Sequence, residues 1–549
     1  MVINIKFVDK PTEETLEIQY ILNEIHTMTP YGKIYKEKIR AFLPGEEAKL
    51  VEELDKIEVY MEYVEQSQIS REINNIFYHI KDLKQSVKKA NGDGILSEVE
   101  LFELKQFLFL IRELDKLLEN YHIPIWGDMK IQPIGELEKL LDPEGTGIAT
   151  FYIYDSYSEE LTKIRQAKRD AGKSIKQEKK LLKENIESKL NIKLKPDNTI
   201  LISKIDEELI KKLEANPNIN YISETYMNIK YGLKPTDEIN LLERHLTILK
   251  DKEEREELKI REKLSREIGK HSKTLFANMA SIGKMDLILA KAKLAVELNA
   301  VKPKIVEEHY IKIIEGRHPI VEKNLKAKGL KFTPITIELG QGVSCITGAN
   351  MGGKTVSLKL VGLLSTMAQY GLMVPAAEME LGLNEFIKTS IGDLQTIDKG
   401  LSTFGGEIKR ISEAVEISSK KGLILIDELA RGTNPEEGYA ISKALVEYLK
   451  NQKSITLITT HYDNIGNTEG VSHLQVVGLS NVDFCQLETE IAGNTQDKMD
   501  IINKYMDYRL KIMDNGKAET PRDAINIAKI MGLKEEILKL AEQNISKGR

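Results

Sequence analysis

The sequence predicts a multidomain protein. An α-helical core and lever region carrying a small α+β insertion is followed by an α/β P-loop domain and a helical tail. Three observations predict it. Up to about residue 305, apolar residues recur at three- and four-residue spacing among Lys and Glu, the helical period. Beyond it, short apolar runs at Gly342–Thr347, Gly422–Ile426 and Ile455–Thr459 alternate with helical segments, as in a mostly parallel sheet covered by helices. The first of these runs leads into Gly348-Ala349-Asn350-Met351-Gly352-Gly353-Lys354-Thr355, a GxxxxGKT phosphate-cradling loop.

The helical part is read segment by segment. Leu16–His26, Gly45–Gln66, Ser97–Tyr121 and Ser158–Leu190 carry the helical period, and Asn91–Gly94 is a turn. Thr236–Leu298 reads as one long amphipathic helix whose charge run, Lys250–Lys270, is a solvated face. Between these long helices lies Asn191–Pro235, with strands at Thr199–Ile202 and Asn220–Ile222 and a turn at Ala215–Asn218. The layout is a lever running out and back with a tip. The expected boundaries are 1–304 for the helical core and lever, with a clamp-like insertion at about 191–235. The P-loop domain follows at 305–510 and a helical tail at 511–549.

At 549 residues the chain is too long for one core, and roughly two to four domains are expected. A net charge of −6 excludes a wholly basic nucleic-acid coat, but not a local basic surface. Only Cys345 and Cys485 occur, without metal-ligand spacing, so a disulfide framework is excluded and a reducing, cytoplasmic setting is expected. Cys345 reads as a small core residue. No apolar stretch reaches bilayer-spanning length, and no membrane partner is expected.

The chemistry gathers at the strand ends. Gly348, Asn350, Gly352 and Gly353 let the backbone wrap a polyphosphate, and Lys354 reaches its β/γ-phosphates. The Thr355 hydroxyl is suited to Mg²⁺. Leu423–Ile426 runs into Asp427 and Glu428. Asp427 is placed to help hold Mg²⁺, and Glu428 to orient and activate a water. His461, after Ile455–Thr460, could sense the γ-phosphate or position that water. Ser402 and Thr403 precede an expected helix, Ile408–Ser419, and form either an N-cap or an anion site. The Ala430–Gly438 turn reads equally as a plain connection or as a loop facing a second nucleotide site.

Together these segments resemble the MutS family. GANMGGKT, LSTFGGEI, LIDELARGTNPEEGYAISKAL and ITTHY match its ATPase motifs in order, and Gly316-Arg317-His318-Pro319 resembles the start of its ATPase domain. The likeness is most specific over Glu315–Asp463. It extends more weakly to Leu16–Tyr63, Ala292–Pro303 and Ala524–Ala541. The resemblance implies an ABC-type ATPase, hydrolysing ATP with Mg²⁺ and working as a dimer with a second MutS-like subunit, expected to be a homodimer. It implies Lys354 and Thr355 on phosphate and metal, Asp427 on metal, Glu428 as base and His461 as switch. Ser402 and Thr403 would face the neighbouring subunit's nucleotide. The chain looks like a short form, without room for a mismatch-recognition domain and without a Smr nuclease domain.

Two clients are compatible with such an engine. One is DNA, in repair or recombination, favoured by the basic run Lys163, Arg165, Lys168, Arg169, Lys173, Lys176, Lys179, Lys180 and Lys183. That run reads equally as a solvated helix face. The alternative is a protein client, with the chain as the ATP-dependent reactivating subunit for an adenosylcobalamin-dependent aminomutase.

Overall fold

The computed structural model describes residues 6–348, 353–392, 403–428, 434–479, 482, 506–513, 525, 528–529 and 531–547. The chain forms two compact units that do not follow chain order. One comprises residues 79–120 and 130–280, and the other residues 1–78, 121–129 and 281–549.

The first of these units is built on two long helices, Glu159–Leu190 and Asp237–Lys270. Ser158 and Thr236 start them, each accepting a backbone N–H from its first turn. The helices run antiparallel, because Arg165 meets Glu253 and Glu257 while Lys179 meets Glu243. At 1.5 Å per residue each spans about 50 Å. The expected single helix Thr236–Leu298 is broken at His271, and a second helix, Ser272–Glu297, follows. Part of the expected solvated charge face is also packed. Glu253 holds Arg165 and Lys168, and Glu256 accepts from Ser158. Arg165, Lys168 and Lys179 of the basic run are paired across the two helices, whereas Lys173 and Lys180 meet Asp170 and Glu184 of their own helix at the exposed surface.

The insertion is a three-stranded antiparallel sheet in the order β1-β3-β2, formed by β1 (Thr199–Ser203), β2 (Ile219–Glu224) and β3 (Asn228–Leu233). A helix, Glu207–Glu214, packs with it. Ile186, Leu194, Ile200, Ile202, Leu213 and Tyr231 form its small core. The strand β3 and this helix were not expected; Gly232 and a short amphipathic stretch gave them weak signals.

The other unit holds two sheets. The smaller has the order β4-β8-β5-β6, from β4 (Lys304–Val306), β5 (Ile311–Gly316), β6 (Ile335–Leu339) and β8 (Glu378–Gly382). The larger uses β7 (Gly342–Thr347), β9 (Phe386–Ser390), β10 (Gly422–Ile426), β11 (Ile455–Thr459), β12 (Ser472–Gly478) and β13 (Asp507–Ile512). Its order is β13-β12-β7-β11-β10-β9, with β13 alone antiparallel. Near-continuous Val, Ile and Leu suit strands covered on both faces. Leu423, Leu425, Ile455, Leu457 and Ile346 point into one core with the helix Lys354–Gln369. Val343, Cys345, Ile424, Ile426 and Ile458 point into another, beneath the helices Thr403–Glu416 and Pro435–Leu449. Burial pushes the Cys345 thiol up to about 12, so it is an unreactive core residue.

The N-terminal segment packs into this unit as short helices. The expected helix Leu16–His26 is instead two, Lys10–Leu16 and Ile18–Asn23, separated by Glu17 in a left-handed turn. Thr29 starts the helix Pro30–Lys36. Asp286, on the helix Ser272–Glu297, accepts the backbone N–H groups of Met28 (3.0 Å) and Thr29 (2.6 Å) and the Thr29 hydroxyl (2.7 Å). No helix among the described residues is long and apolar enough to cross a membrane.

Candidate active site

Three parallel strands place the site. β11 lies beside β7, with Thr459 opposite Ile346, and β10 lies beside β11, with Ile426 opposite Ile458. Their carboxyl ends therefore share one edge, where open parallel sheets bind ligands. Gly348 follows β7, and Asp427 and Glu428 follow β10. Thr460 and His461 follow β11.

Gly353 takes a left-handed turn (φ 77°) at the start of the helix Lys354–Gln369. A β-carbon there would press on the Tyr508 ring at 3.1 Å. The turn puts Lys354 and Thr355 in the helix's first turn, where unpaired N–H groups and the helix dipole favour anions.

The side chains converge in two groups. In the first, Thr355 donates its hydroxyl to Asp427 Oδ2 at 2.8 Å, and Thr459 donates to Asp427 Oδ1 at 2.6 Å. In the second, Lys354 Nζ lies 3.5 Å from Glu428 Oε1 and donates to the Gly348 carbonyl at 2.9 Å. His461 Nε2 is 2.6 Å from Glu428 Oε1, and its Nδ1 is 3.3 Å from Lys354 Nζ. Because the ammonium can only donate, Nδ1 accepts and Nε2 carries the proton given to Glu428. Lys354 and Glu428 are buried, so their charges face each other with little water between them.

Glu428 is held in a left-handed backbone conformation (φ 49°), which costs a non-glycine residue about 1–2 kcal/mol. The turn is fixed from β11: Glu428 N–H donates to the Thr459 carbonyl (3.2 Å) and to its hydroxyl (3.0 Å). This strained residue therefore has a cause in the packing, and it aims the carboxylate at Lys354 and His461.

Beside the loop is a cavity of about 730 Å³. Lys354, Thr355, Lys331 and Thr333 are its polar lining, and Val321, Leu325, Phe332, Met506 and Tyr508 supply apolar surface. Aromatic and aliphatic surface together with lysine side chains suits a flat base attached to phosphates. The Thr355–Asp427 pair offers only oxygen, the donor set of Mg²⁺, which takes one or two carboxylates and completes its shell with phosphates and water.

Gly348, Gly353, Lys354, Thr355, Asp427, Glu428 and His461 are thus brought to one place. Asn350, Gly352 and Ser402 lie outside the described residues, as do residues 430–433 of the Ala430–Gly438 turn. Thr403 is the first residue of a helix running to Glu416, not part of a loop before Ile408. The Gly405-Gly406 pair is therefore helical. Sequence reasoning gave no role to Thr459 and did not find Phe332, Met506 or Tyr508. The order of strands, which brings β11 under the β10 acids and β13 near the loop, is not written in local pattern.

Residues 344–547 match the family model described as MutS domain V. Endonuclease MutS2 of Finegoldia magna is 28% identical over 98% of this chain and 65% of its own length. That of Caldanaerobacter subterraneus subsp. tengcongensis is 28% identical over 86% of the chain and 57% of its own length. That of Clostridium kluyveri is 30% identical over 93% and 63%. The chain spans less than two thirds of these relatives' lengths. The matches support the MutS family, and they lend no support to an aminomutase client.

Proposed function

We propose that this MutS-like chain is an ATPase whose hydrolysis cycle drives a dimeric clamp on DNA. The observation that carries the reading is the junction of Thr355 with Asp427, and of Lys354 with Glu428 and His461, with Lys354 and Thr355 also lining a nucleotide-sized cavity. Similarity to proteins named as MutS2 endonucleases supports nucleic acid as the client.

In this reading the loop N–H groups at Gly348, Asn350, Gly352 and Gly353 and the Lys354 ammonium bind the β/γ-phosphates. Thr355 and Asp427 would hold Mg²⁺, which when bound spreads the charge of the phosphate oxygens. Glu428 orients a water in line with the γ-phosphorus and accepts its proton as the bond to ADP breaks. His461, donating to Glu428, keeps that carboxylate turned toward Lys354. Ser402 and Thr403 would complete the site of a second, identical subunit. The two long helices would carry the change to the β1–β3 tip.

The test is ATP hydrolysis by the purified chain, without DNA and with duplex or branched DNA, at low and high salt. The reading expects ADP and phosphate as products, with a DNA stimulation that fades as salt rises. Absence of hydrolysis under every condition would overturn it. Hydrolysis indifferent to every DNA would overturn the client alone.

A further inference from the structure

We propose that Thr459 is the residue that sets the geometry of both acids at once, positioning Asp427 for the metal and Glu428 for the water. The inference deepens the ATPase reading and rests on it.

Thr459 ends β11 and is fully buried. Its backbone is locked in register with the phosphate-loop strand, opposite Ile346, and the next residue, Thr460, donates its N–H to the Ile346 carbonyl at 3.1 Å. Its hydroxyl has one proton, given to Asp427 Oδ1 at 2.6 Å. The same oxygen must then accept the Glu428 N–H at 3.0 Å. The assignment is therefore unambiguous: one atom donates to the first acid's side chain and accepts from the second acid's backbone.

Two consequences follow. Asp427 has a hydroxyl on each oxygen, Thr459 on Oδ1 and Thr355 on Oδ2, so the plane of its carboxylate is fixed. With Oδ1 engaged by Thr459, Oδ2 on the Thr355 side is the oxygen that would hold a metal. Glu428 is anchored in its left-handed turn by two bonds to one residue, the carbonyl and the hydroxyl of Thr459. A β-branched side chain is stiff about χ1, which suits a hydroxyl that must reach two targets. Thr459 touches neither phosphate nor water in this scheme. It is a positioning residue, acting through Asp427 and Glu428.

The test uses the full chain and three substitutions: Thr459→Ala, Thr459→Val, which keeps the branched volume, and Thr459→Ser, which keeps the hydroxyl. Two quantities are read. One is the Mg²⁺ concentration giving half-maximal binding of a fluorescent, slowly hydrolysed ATP analogue. The other is kcat and KM for ATP at saturating Mg²⁺. Removing a hydrogen-bond partner behind a metal ligand typically lowers metal affinity or activity about tenfold or more. Thr459→Ala and Thr459→Val are expected to raise the Mg²⁺ requirement about tenfold and lower kcat by at least as much. Thr459→Ser is expected to stay within about threefold of the parent on both, because the donor and acceptor are kept. Binding of the analogue without Mg²⁺ should be unchanged in all three. The proposal is overturned if Thr459→Val matches the parent on both readouts, or if Thr459→Ser is as impaired as Thr459→Ala. A parent protein that binds nucleotide but hydrolyses none overturns the ATPase reading. The Mg²⁺-dependent binding series still decides the role of Thr459 in that case.

Discussion

Glu428 and Gly32 show how single residues are fixed by what lies against them. The Glu428 carboxylate is buried between Lys354 and His461, so Glu428→Gln keeps the shape and hydrogen-bonding reach but removes the base. We expect ATP binding to persist while hydrolysis falls about a hundredfold or more, the usual weight of a positioned general base. Single-turnover hydrolysis with pre-bound ATP measures this directly, and a parent-like rate would dismiss Glu428 as the base. Lys354→Ala should instead weaken nucleotide binding itself, read by titration with the same analogue. Gly32 sits where a β-carbon would overlap the Asp286 carboxylate, which is occupied with the N–H groups of Met28 and Thr29. Gly32→Ala must push that carboxylate away from its donors. A destabilisation of about 2–3 kcal/mol is expected in chemical denaturation, at the upper end for overpacked sites because buried hydrogen bonds are disturbed as well.

Helices and strands depend on their ends as much as on their period. Ser158 caps the helix Glu159–Leu190 by accepting the Leu161 N–H, and its hydroxyl proton goes to Glu256 on the facing helix at 2.8 Å. Ser158→Ala loses both and should destabilise by about 1–2 kcal/mol, with Ser158→Thr recovering most of it. A denaturation midpoint unmoved by Ser158→Ala would mean that neither bond contributes. These two long helices were legible because 30-odd residues of period carry their own signal. So were Gly342–Thr347, Gly422–Ile426 and Ile455–Thr459, each a run of Val, Ile or Leu bounded by turn residues, and each a strand with those bounds. Strands β4, β5, β6 and β8 were not, because each is short and carries Lys, Glu or Thr among only a few apolar residues. The break at His271 was missed because the apolar period continues across it. In the site, Lys354, Thr355, Asp427 and Glu428 were readable because their spacing is local to one loop or strand end. Thr459 and Tyr508 were not, because they act through neighbouring strands set by tertiary order. Part of the basic run of Glu159–Leu190 has partners that its own sequence does not show: Arg165, Lys168 and Lys179 face Glu253, Glu257 and Glu243.

Across the whole molecule, the response to acid should differ between the two compact units. His318 and His309 belong to the unit formed by residues 1–78, 121–129 and 281–549. Burial, assisted by the nearby Lys359 charge, pushes His318 down to about 4 from an ordinary 6.5. Burial also lowers His309, against the opposing bonds to Asn384 and the Lys453 carbonyl. A base with a depressed folded-state pKa stays neutral in the folded unit while the unfolded chain takes up its proton. Stability is therefore whole above pH 6.5, falls as pH drops, and has lost this contribution by about pH 4. For His318 the loss is about 2 kcal/mol between pH 7 and 4.5. In the other unit Asp142 behaves differently. Burial would raise it, but the Gly147 N–H, the Thr146 hydroxyl and Lys105 outweigh burial and hold it at about 2. Its contribution is present above its ordinary 3.8 and is lost only as pH falls toward 2. The chain's one tryptophan, Trp126, lies in the histidine-bearing unit and packs on Tyr60, so its fluorescence reports that unit. Denaturation followed by Trp126 should show a midpoint that drops from pH 7 to 4.5. His318 is buried with no hydrogen-bond partner for its ring nitrogens among the described residues, so His318→Leu removes the titration without stranding a polar group. In that variant the drop should shrink by about 2 kcal/mol in free energy. An identical drop in parent and variant would place the acid sensitivity on other groups, with His318 titrating no differently folded than unfolded.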